Sequence, residues 1–260
     1  SYYTQAARCP RKARLNKEHH LDDAGDAANV GTVFHALCEL FYKGMEGADA
    51  CAIQVADISS QDPVLEARRV FMAYLKHYPE RDFWGTPIAV ERQFPENETE
   101  ALAIQNLFNV DLTARLDMVV RINAVQAARI AARTGLTLEP GVYIVDHKTK
   151  SRKDDQAATI YNLSMQFACY QLMWNTVYPG ALCKGMLANV VITYKDMNSP
   201  KTQPFQPFLV DCPNEARLQA TRQFLAGAKM MAESDWANAA NCVEYGRPCI
   251  YYTRGLCEQR

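Results

Sequence analysis

One short segment constrains the fold more than any other: Gly141-Val142-Tyr143-Ile144-Val145, with no charged side chain in it. A brief continuous apolar run of this kind reads as a strand buried within a sheet. It continues directly into Asp146-His147-Lys148-Thr149-Lys150. Successive side chains of a strand alternate between its two faces, so Asp146 and Lys148 share one face. A carboxylate and an ammonium at the polar tip of an apolar strand are costly to bury, and they need a strong partner or a chemical task.

The flanking sequence supplies the rest of a sheet and its cover. A short helix is expected between Ser1 and Lys17, followed by a loop at Asp22-Asp23-Ala24-Gly25-Asp26. Gly31 opens a stronger helix in which apolar residues recur at helical spacing and His35 and Glu39, four apart, share a face. A further helix is expected from Val64 to Tyr78, stopped by Pro79. The period then shifts towards two, and Pro87 to Phe94, Leu102 to Phe108 and Asp111 to Ile122 read as strands of an antiparallel meander. Asn123 to Arg133 leaves two readings open, an inserted helix or a surface excursion. A long helix from Gln156 to Tyr178, strands from Lys184 to Tyr194 and Phe205 to Val210, and a helix from Pro213 to Glu233 complete the pattern, and the remainder to Arg260 reads as irregular. This order predicts a single domain over residues 1–260, an α/β or α+β sandwich with a mixed central β-sheet flanked by helices.

The composition excludes several classes. With 48% hydrophobic and 22% charged residues the chain is that of an ordinary globular protein rather than a disordered one. No stretch approaches the roughly 20 apolar residues needed to cross a bilayer, and the first residues lack the basic and apolar regions of a secretory signal. No membrane association and a cytoplasmic location are therefore the expectation. A net charge of −1 gives no global attraction to a polyanion, so binding one would fall to local basic patches or to bound metal. Two patches exist: Arg11, Lys12, Arg14 and Lys17, and Lys148, Lys150, Arg152 and Lys153. Nine cysteines, an odd number, argue against a fully paired disulfide framework. Cys38, Cys51, Cys169, Cys183 and Cys212 fall among apolar or helical segments and read as small buried hydrophobes, unlike Cys9, Cys242, Cys249 and Cys257.

A second anomaly lies upstream, where the apolar run around Leu116-Asp117-Met118-Val119-Val120 carries a single acid. An acid in a strand is most often on the solvent face, and a histidine on an apolar helix face is most often a hydrogen-bonded core residue. The functional reading rests on their coincidence. If the two acidic strands pair, Asp117 and Asp146 converge on one hard cation, Mg²⁺ or Mn²⁺, to which His35 or Glu39 adds a further ligand. His147, between Asp146 and Lys148, is another candidate ligand, and Glu91 on the preceding strand is a supporting acid. Lys148 then orients water and stabilises developing negative charge. That chemistry is metal-assisted phosphodiester cleavage.

In order along the chain, these residues resemble the motifs of the RecB-like branch of the PD-(D/E)XK nuclease superfamily, which includes CRISPR-associated adaptation nucleases, helicase-nuclease subunits and phage exonucleases. Gly31-Thr32-Val33-Phe34-His35 is similar to its first helix with a metal-binding histidine, and Ala114-Arg115-Leu116-Asp117 to its second motif. Val145-Asp146-His147-Lys148-Thr149 resembles the acid-x-lysine core, and Gln166-Phe167-Ala168-Cys169-Tyr170 the glutamine and tyrosine motif of the branch. Gln166 and Tyr170, four apart on a helix, face the same way and are expected to contact the nucleic-acid backbone or support the lysine. Cys9 with Cys242, Cys249 and Cys257 resembles the one-plus-three arrangement that holds a [4Fe-4S] cluster in part of the family. The spacers of six and seven residues between the last three are wider than usual there, and a Cys₄ zinc site uses the same ligands.

The resemblance implies a restriction-endonuclease-like core plus a helical lobe, residues 1–20 with 235–260, clamped by the iron-sulfur cluster. It implies a Mg²⁺- or Mn²⁺-dependent deoxyribonuclease, an exonuclease on single-stranded ends, encoded by a bacterium, archaeon or phage, and working beside a helicase, recombinase or CRISPR adaptation partner. No P-loop motif is present, so ATP-driven unwinding would need such a partner. Two readings of other classes stand beside it: a non-cleaving DNA-end or single-strand binding subunit, and a zinc-stabilised interaction protein.

Overall fold

Val142 to His147 are all buried, as the apolar run requires, and they form the centre of β3, Gly141–Lys150. The computed structural model describes residues 26–47, 49, 61–108, 113–153, 157–162, 164–199, 201–210, 219, 221–223, 225–226, 229, 243–244 and 247–248. Among them run α1 (Asp26–Tyr42), α2 (Gln61–His77), β1 (Thr86–Phe94), α3 (Glu98–Phe108), β2 (Ala114–Ile122), α4 (Ala124–Thr134), β3, α5 (Ala157–Asn162), α6 (Met165–Val177), β4 (Cys183–Ile192) and β5 (Phe205–Val210). A two-residue pair, β6 (Val243–Glu244) and β7 (Arg247–Pro248), follows.

The sheet has the order β1-β2-β3-β4-β5, antiparallel except where β3 runs parallel to β4. A parallel pair needs a crossover, and α5 and α6 provide it. Each face of the sheet carries its own core. On one, Phe34 and Leu37 of α1 and Phe71 and Tyr74 of α2 pack over Met118, Val120, Tyr143 and Val145. On the other, Phe167, Met173 and Trp174 of α6 pack over Val119, Val142, Ile144 and Ala188. Full burial of each large apolar side chain contributes about 1.5–3 kcal/mol, so both layers are needed to hold β3 at the centre. The result is the α/β architecture with a mixed central sheet that the sequence predicts.

Three elements differ from their sequence expectation, and one that the sequence leaves open is decided. Leu102 to Phe108 is helical, part of α3, because the Asn97 carboxamide accepts the Glu100 amide at its start and Ile104 and Phe108, four apart, are its buried face. Asn123 to Arg133 resolves as a helix, α4, with a reciprocal capping box between Asn123 and Gln126 and Gly135 closing it in the left-handed conformation. The expected helix from Gln156 to Tyr178 is two helices, α5 and α6, and the helix holding His35 begins at Asp26, before Gly31. Most of the expected last helix, the first helix, and Cys9, Cys242, Cys249 and Cys257 lie outside the described residues. Cys38, Cys169 and Cys183 are buried thiols in the core.

Candidate metal centre

The site forms where two strands stop pairing. The ladder between β2 and β3 runs from Ile122 opposite Gly141 to Met118 opposite Val145, and the next residues along are Asp117 and Asp146. Beyond this point β2 stays with β1 and β3 stays with β4. In the fork, the Asp117 side chain substitutes for the missing ladder: its Oδ2 accepts the backbone N–H of His147 at 2.7 Å. A buried amide is thereby satisfied by a carboxylate.

Helix α1 brings His35 to the same oxygen, with Nδ1 3.2 Å from Asp117 Oδ2. Gly31, one turn earlier, makes that approach possible, because a Cβ there would stand 2.9 Å from Thr149 Oγ1 on β3. From β1, register places Glu91 opposite Asp117, between the Val90–Met118 and Arg92–Leu116 pairs. Glu91 has a left-handed backbone, φ 52°, rare for a side-chain-bearing residue inside a strand. Its carboxylate is turned inwards and only 7% exposed. One donor atom each from His35, Glu91 and Asp117 lie within 4.8 Å of one another.

Asp146 and Lys148 lie beside this group, on the α6 face. Lys148 Nζ is 2.7 Å from Asp146 Oδ2 and 5.8 Å from the centre of the Phe167 ring. The Asp146 oxygen is buried and, despite that proximity, has no hydrogen bond of good geometry. Gln166 donates to the Tyr170 hydroxyl at 2.7 Å on the adjoining turn of α6, and Tyr170 is electrostatically coupled to both Asp146 and Lys148. Glu39 lies at the rim, paired with Lys43 and with Arg115, outside the group of three.

The His147 ring lies on the other face of β3 from Asp146 and Lys148, 6.2 Å from the His35 ring. Alternation along β3 puts its ring on the α1 and α2 face, stacked on Tyr42 at 5.9 Å and edge-on to Phe34 and Tyr74. Its Nδ1 pairs with the Asn189 carboxamide at 2.9 Å, and the ring is not part of the His35, Glu91 and Asp117 group. Tyr74 anchors this layer through its hydroxyl, which meets those of Tyr42 at 2.6 Å and the Trp84 indole N–H at 3.0 Å.

Charge follows burial and neighbours. Burial opposes ionisation of Asp117, but the hydrogen bond and charge of His35 outweigh it and hold the carboxyl below the usual range. The same pairing raises His35 against its own burial. Burial pushes Asp146 up to about 6, Lys148 pulling it down and Asp117 adding to the rise. Burial alone would lower Lys148, yet Asp146 and Asp117 more than offset it, so the lysine stays charged. Glu91 is pushed up to about 7 by burial and then by Asp117, with Arg115 opposing. Carboxylates crowded in this way, one of them with a poorly satisfied buried oxygen, lack positive charge. One imidazole nitrogen with carboxylate oxygens is a donor set that suits Mn²⁺ or Mg²⁺.

A mixed sheet with helices on both faces carries a carboxylate and histidine cluster at a strand fork. The PD-(D/E)XK nuclease superfamily profile matches residues 1–251, and the chain belongs to that superfamily. Membership implies a metal-dependent nuclease, a hydrolase acting on nucleic acid, on a restriction-endonuclease-like core. No curated protein matches the chain. Among the described residues, no helix is long and apolar enough to cross a membrane.

The sequence pointed to His35, Asp117, Asp146 and Lys148, and these four gather at the fork. It assigned Glu91 only a supporting place and gave Arg115 none, although Arg115 belongs to the Ala114-Arg115-Leu116-Asp117 motif.

Proposed function

We propose that this protein is a Mg²⁺- or Mn²⁺-dependent deoxyribonuclease, an exonuclease acting on single-stranded DNA ends. The observation that supports it most is the fork itself, where His35 and Asp117 share an oxygen contact beside the buried Asp146–Lys148 pair. His35, Asp117 and Asp146 are assigned as the residues that hold the cation. When bound there, it supplies Lewis acidity towards the phosphodiester and lowers the pKa of water.

The protein's own groups do the rest. Lys148, charged and held between Asp146 and the Phe167 ring, stabilises negative charge developing on the phosphate and orients the attacking water. Because it stays protonated, its contribution is electrostatic rather than that of a general base. The Asp117 carboxylate fixes the His147 backbone and so the start of the acid-x-lysine turn. Gln166 and Tyr170 hold the side of the site next to the lysine, and their resemblance to the RecB-like motif supports the exonuclease reading. Cys9, Cys242, Cys249 and Cys257 are assigned to a [4Fe-4S] cluster on sequence resemblance, and no step above uses it.

Incubation with end-labelled single- and double-stranded DNA, in Mn²⁺ and in chelator, tests the reading. It expects mononucleotides released from single strands in Mn²⁺ alone. Internal fragments would overturn the exonuclease assignment, and no hydrolysis at all would overturn the nuclease.

A further inference from the structure

A line of alternating charge runs from the bottom of the fork to its rim. Buried Glu91 is paired with Arg115 Nε, Arg115 Nη2 lies 3.3 Å from Glu39, and Glu39 lies 2.6 Å from Lys43. Along it the side chains are 7% exposed at Glu91, 61% at Arg115, 23% at Glu39 and 52% at Lys43, so Arg115 is the most open member. Arg115 is thus a guanidinium at the mouth of the site, held by two carboxylates, one of which, Glu91, belongs to the group of three that could hold a metal. The backbone strain at Glu91 points the same way, since a left-handed non-glycine residue is unfavourable and persists where it has a use.

Leaving His35 aside, four carboxylates, Glu39, Glu91, Asp117 and Asp146, face three cations, Lys43, Arg115 and Lys148. With all four carboxylates ionised the local balance is one negative charge, and the protonation of Glu91, raised to about 7, brings it towards zero, so without metal the site has no net attraction for a phosphate. A divalent cation reverses the balance to one positive charge. Glu91 then has a stronger partner than Arg115, and a planar five-donor guanidinium suited to bidentate phosphate recognition keeps at the mouth only Glu39, which it shares with Lys43.

We infer that Arg115 is a phosphate-binding residue for the nucleic-acid strand, and that metal binding through Glu91 is what frees it to act. Substrate binding is thereby coupled to metal occupancy, and by linkage the strand tightens the metal to the same degree. The inference rests on the proposed metal-dependent nuclease reading and adds to it a ligand, a binding residue and the order in which they engage.

The test uses the full chain with Lys148 intact, on an oligonucleotide whose phosphorothioate linkages resist cleavage. Oligonucleotide affinity is measured by fluorescence anisotropy at several salt concentrations in Mn²⁺ and in chelator, and Mn²⁺ affinity by calorimetry without DNA. Adding Arg115→Ala is expected to weaken the oligonucleotide about 10-fold in Mn²⁺, with a salt slope smaller by about 1, and to change nothing in chelator. Its Mn²⁺ affinity is expected to stay equal or rise. Adding Glu91→Gly, which suits the left-handed backbone, is expected to keep or raise the melting temperature, to weaken Mn²⁺ at least about 10-fold and to abolish the metal-dependent gain in oligonucleotide affinity. Glu91→Gln serves if the glycine variant is unstable. Equal weakening by Arg115→Ala with and without metal, or none at all, would overturn the inference, as would unchanged Mn²⁺ affinity in the Glu91 variants. Those results leave the nuclease reading standing if His35→Ala loses Mn²⁺. Absence of Mn²⁺ binding by the parent removes both.

Discussion

Asp117 Oδ2 accepts the backbone N–H of His147 at 2.7 Å, one residue past the last paired position of β2 and β3. The acid assigned to the cation also closes a gap in the sheet, so its structural and its proposed chemical role coincide on one atom. That oxygen also receives His35 at 3.2 Å. Strand separation, histidine placement and charge are set together.

The two roles separate by substitution. Asp117→Asn keeps an oxygen able to accept the His147 amide, so its stability should stay within about 1 kcal/mol of wild type while Mn²⁺ binding and hydrolysis are lost. Asp117→Ala should lose activity and, in addition, about 1–3 kcal/mol of stability, because the amide is left unsatisfied. Urea denaturation with calorimetric metal titration checks both. Equal destabilisation by the two variants would show that the amide contact has no structural role.

Gly31 sets two effects against each other. Replacing a helix-interior glycine with alanine should add about 1 kcal/mol by propensity. The new Cβ, however, would stand 2.9 Å from Thr149 Oγ1. Gly31→Ala should therefore lower the melting temperature and weaken Mn²⁺ by displacing His35, and Thr149→Ala should restore both in the double variant. A stabilised single variant with unchanged metal affinity would show that α1 has room to spare.

Much of this site was legible because its members break a pattern. Asp117 and Asp146 interrupt apolar strands, and His35 sits on an apolar helix, so each stands out by residue type. Glu91 does not, since β1 is an edge strand of mixed exposure on which an acid is unremarkable. Its inward turn comes from a left-handed backbone that no residue pattern announces. The fork was invisible for a related reason: where a ladder ends depends on register, not on composition. The His147 ring lies across the strand from the Asp146 and Lys148 side chains because period two, which groups those two, sends it to the other face. Leu102 to Phe108 was taken for a strand when the Asn97 and Glu100 capping signal and the Ile104 to Phe108 spacing favoured a helix.

The buried His147 ring should appear in the pH dependence of stability. Burial, with Asp117 opposing, lowers it to about 4. Between that value and the unfolded value of about 6.5, the unfolded chain binds a proton that the folded chain does not, so stability falls on acidification. Asp146, raised to about 6, acts in the opposite direction over nearly the same range, so the effect is best read as a difference. Relative to wild type in chelator, His147→Gln should recover about 2 kcal/mol on going from pH 7 to pH 5, because roughly 1.5 pH units of the interval between the two values lie above pH 5. Parallel stability curves for the two proteins would show that His147 titrates normally.

The central claim is that the Asp146–Lys148 pair at the fork is the hydrolytic centre of a metal-dependent nuclease. Its most direct test is the initial rate of end-labelled single-stranded DNA hydrolysis in Mn²⁺ by wild type and Lys148→Ala side by side. Loss of one preorganised cation should lower the rate by at least about 10²-fold, with the variant still folded and chelator stopping the wild type. A variant that cleaves within about threefold of wild type, or wild-type cleavage that persists in chelator, would contradict the account.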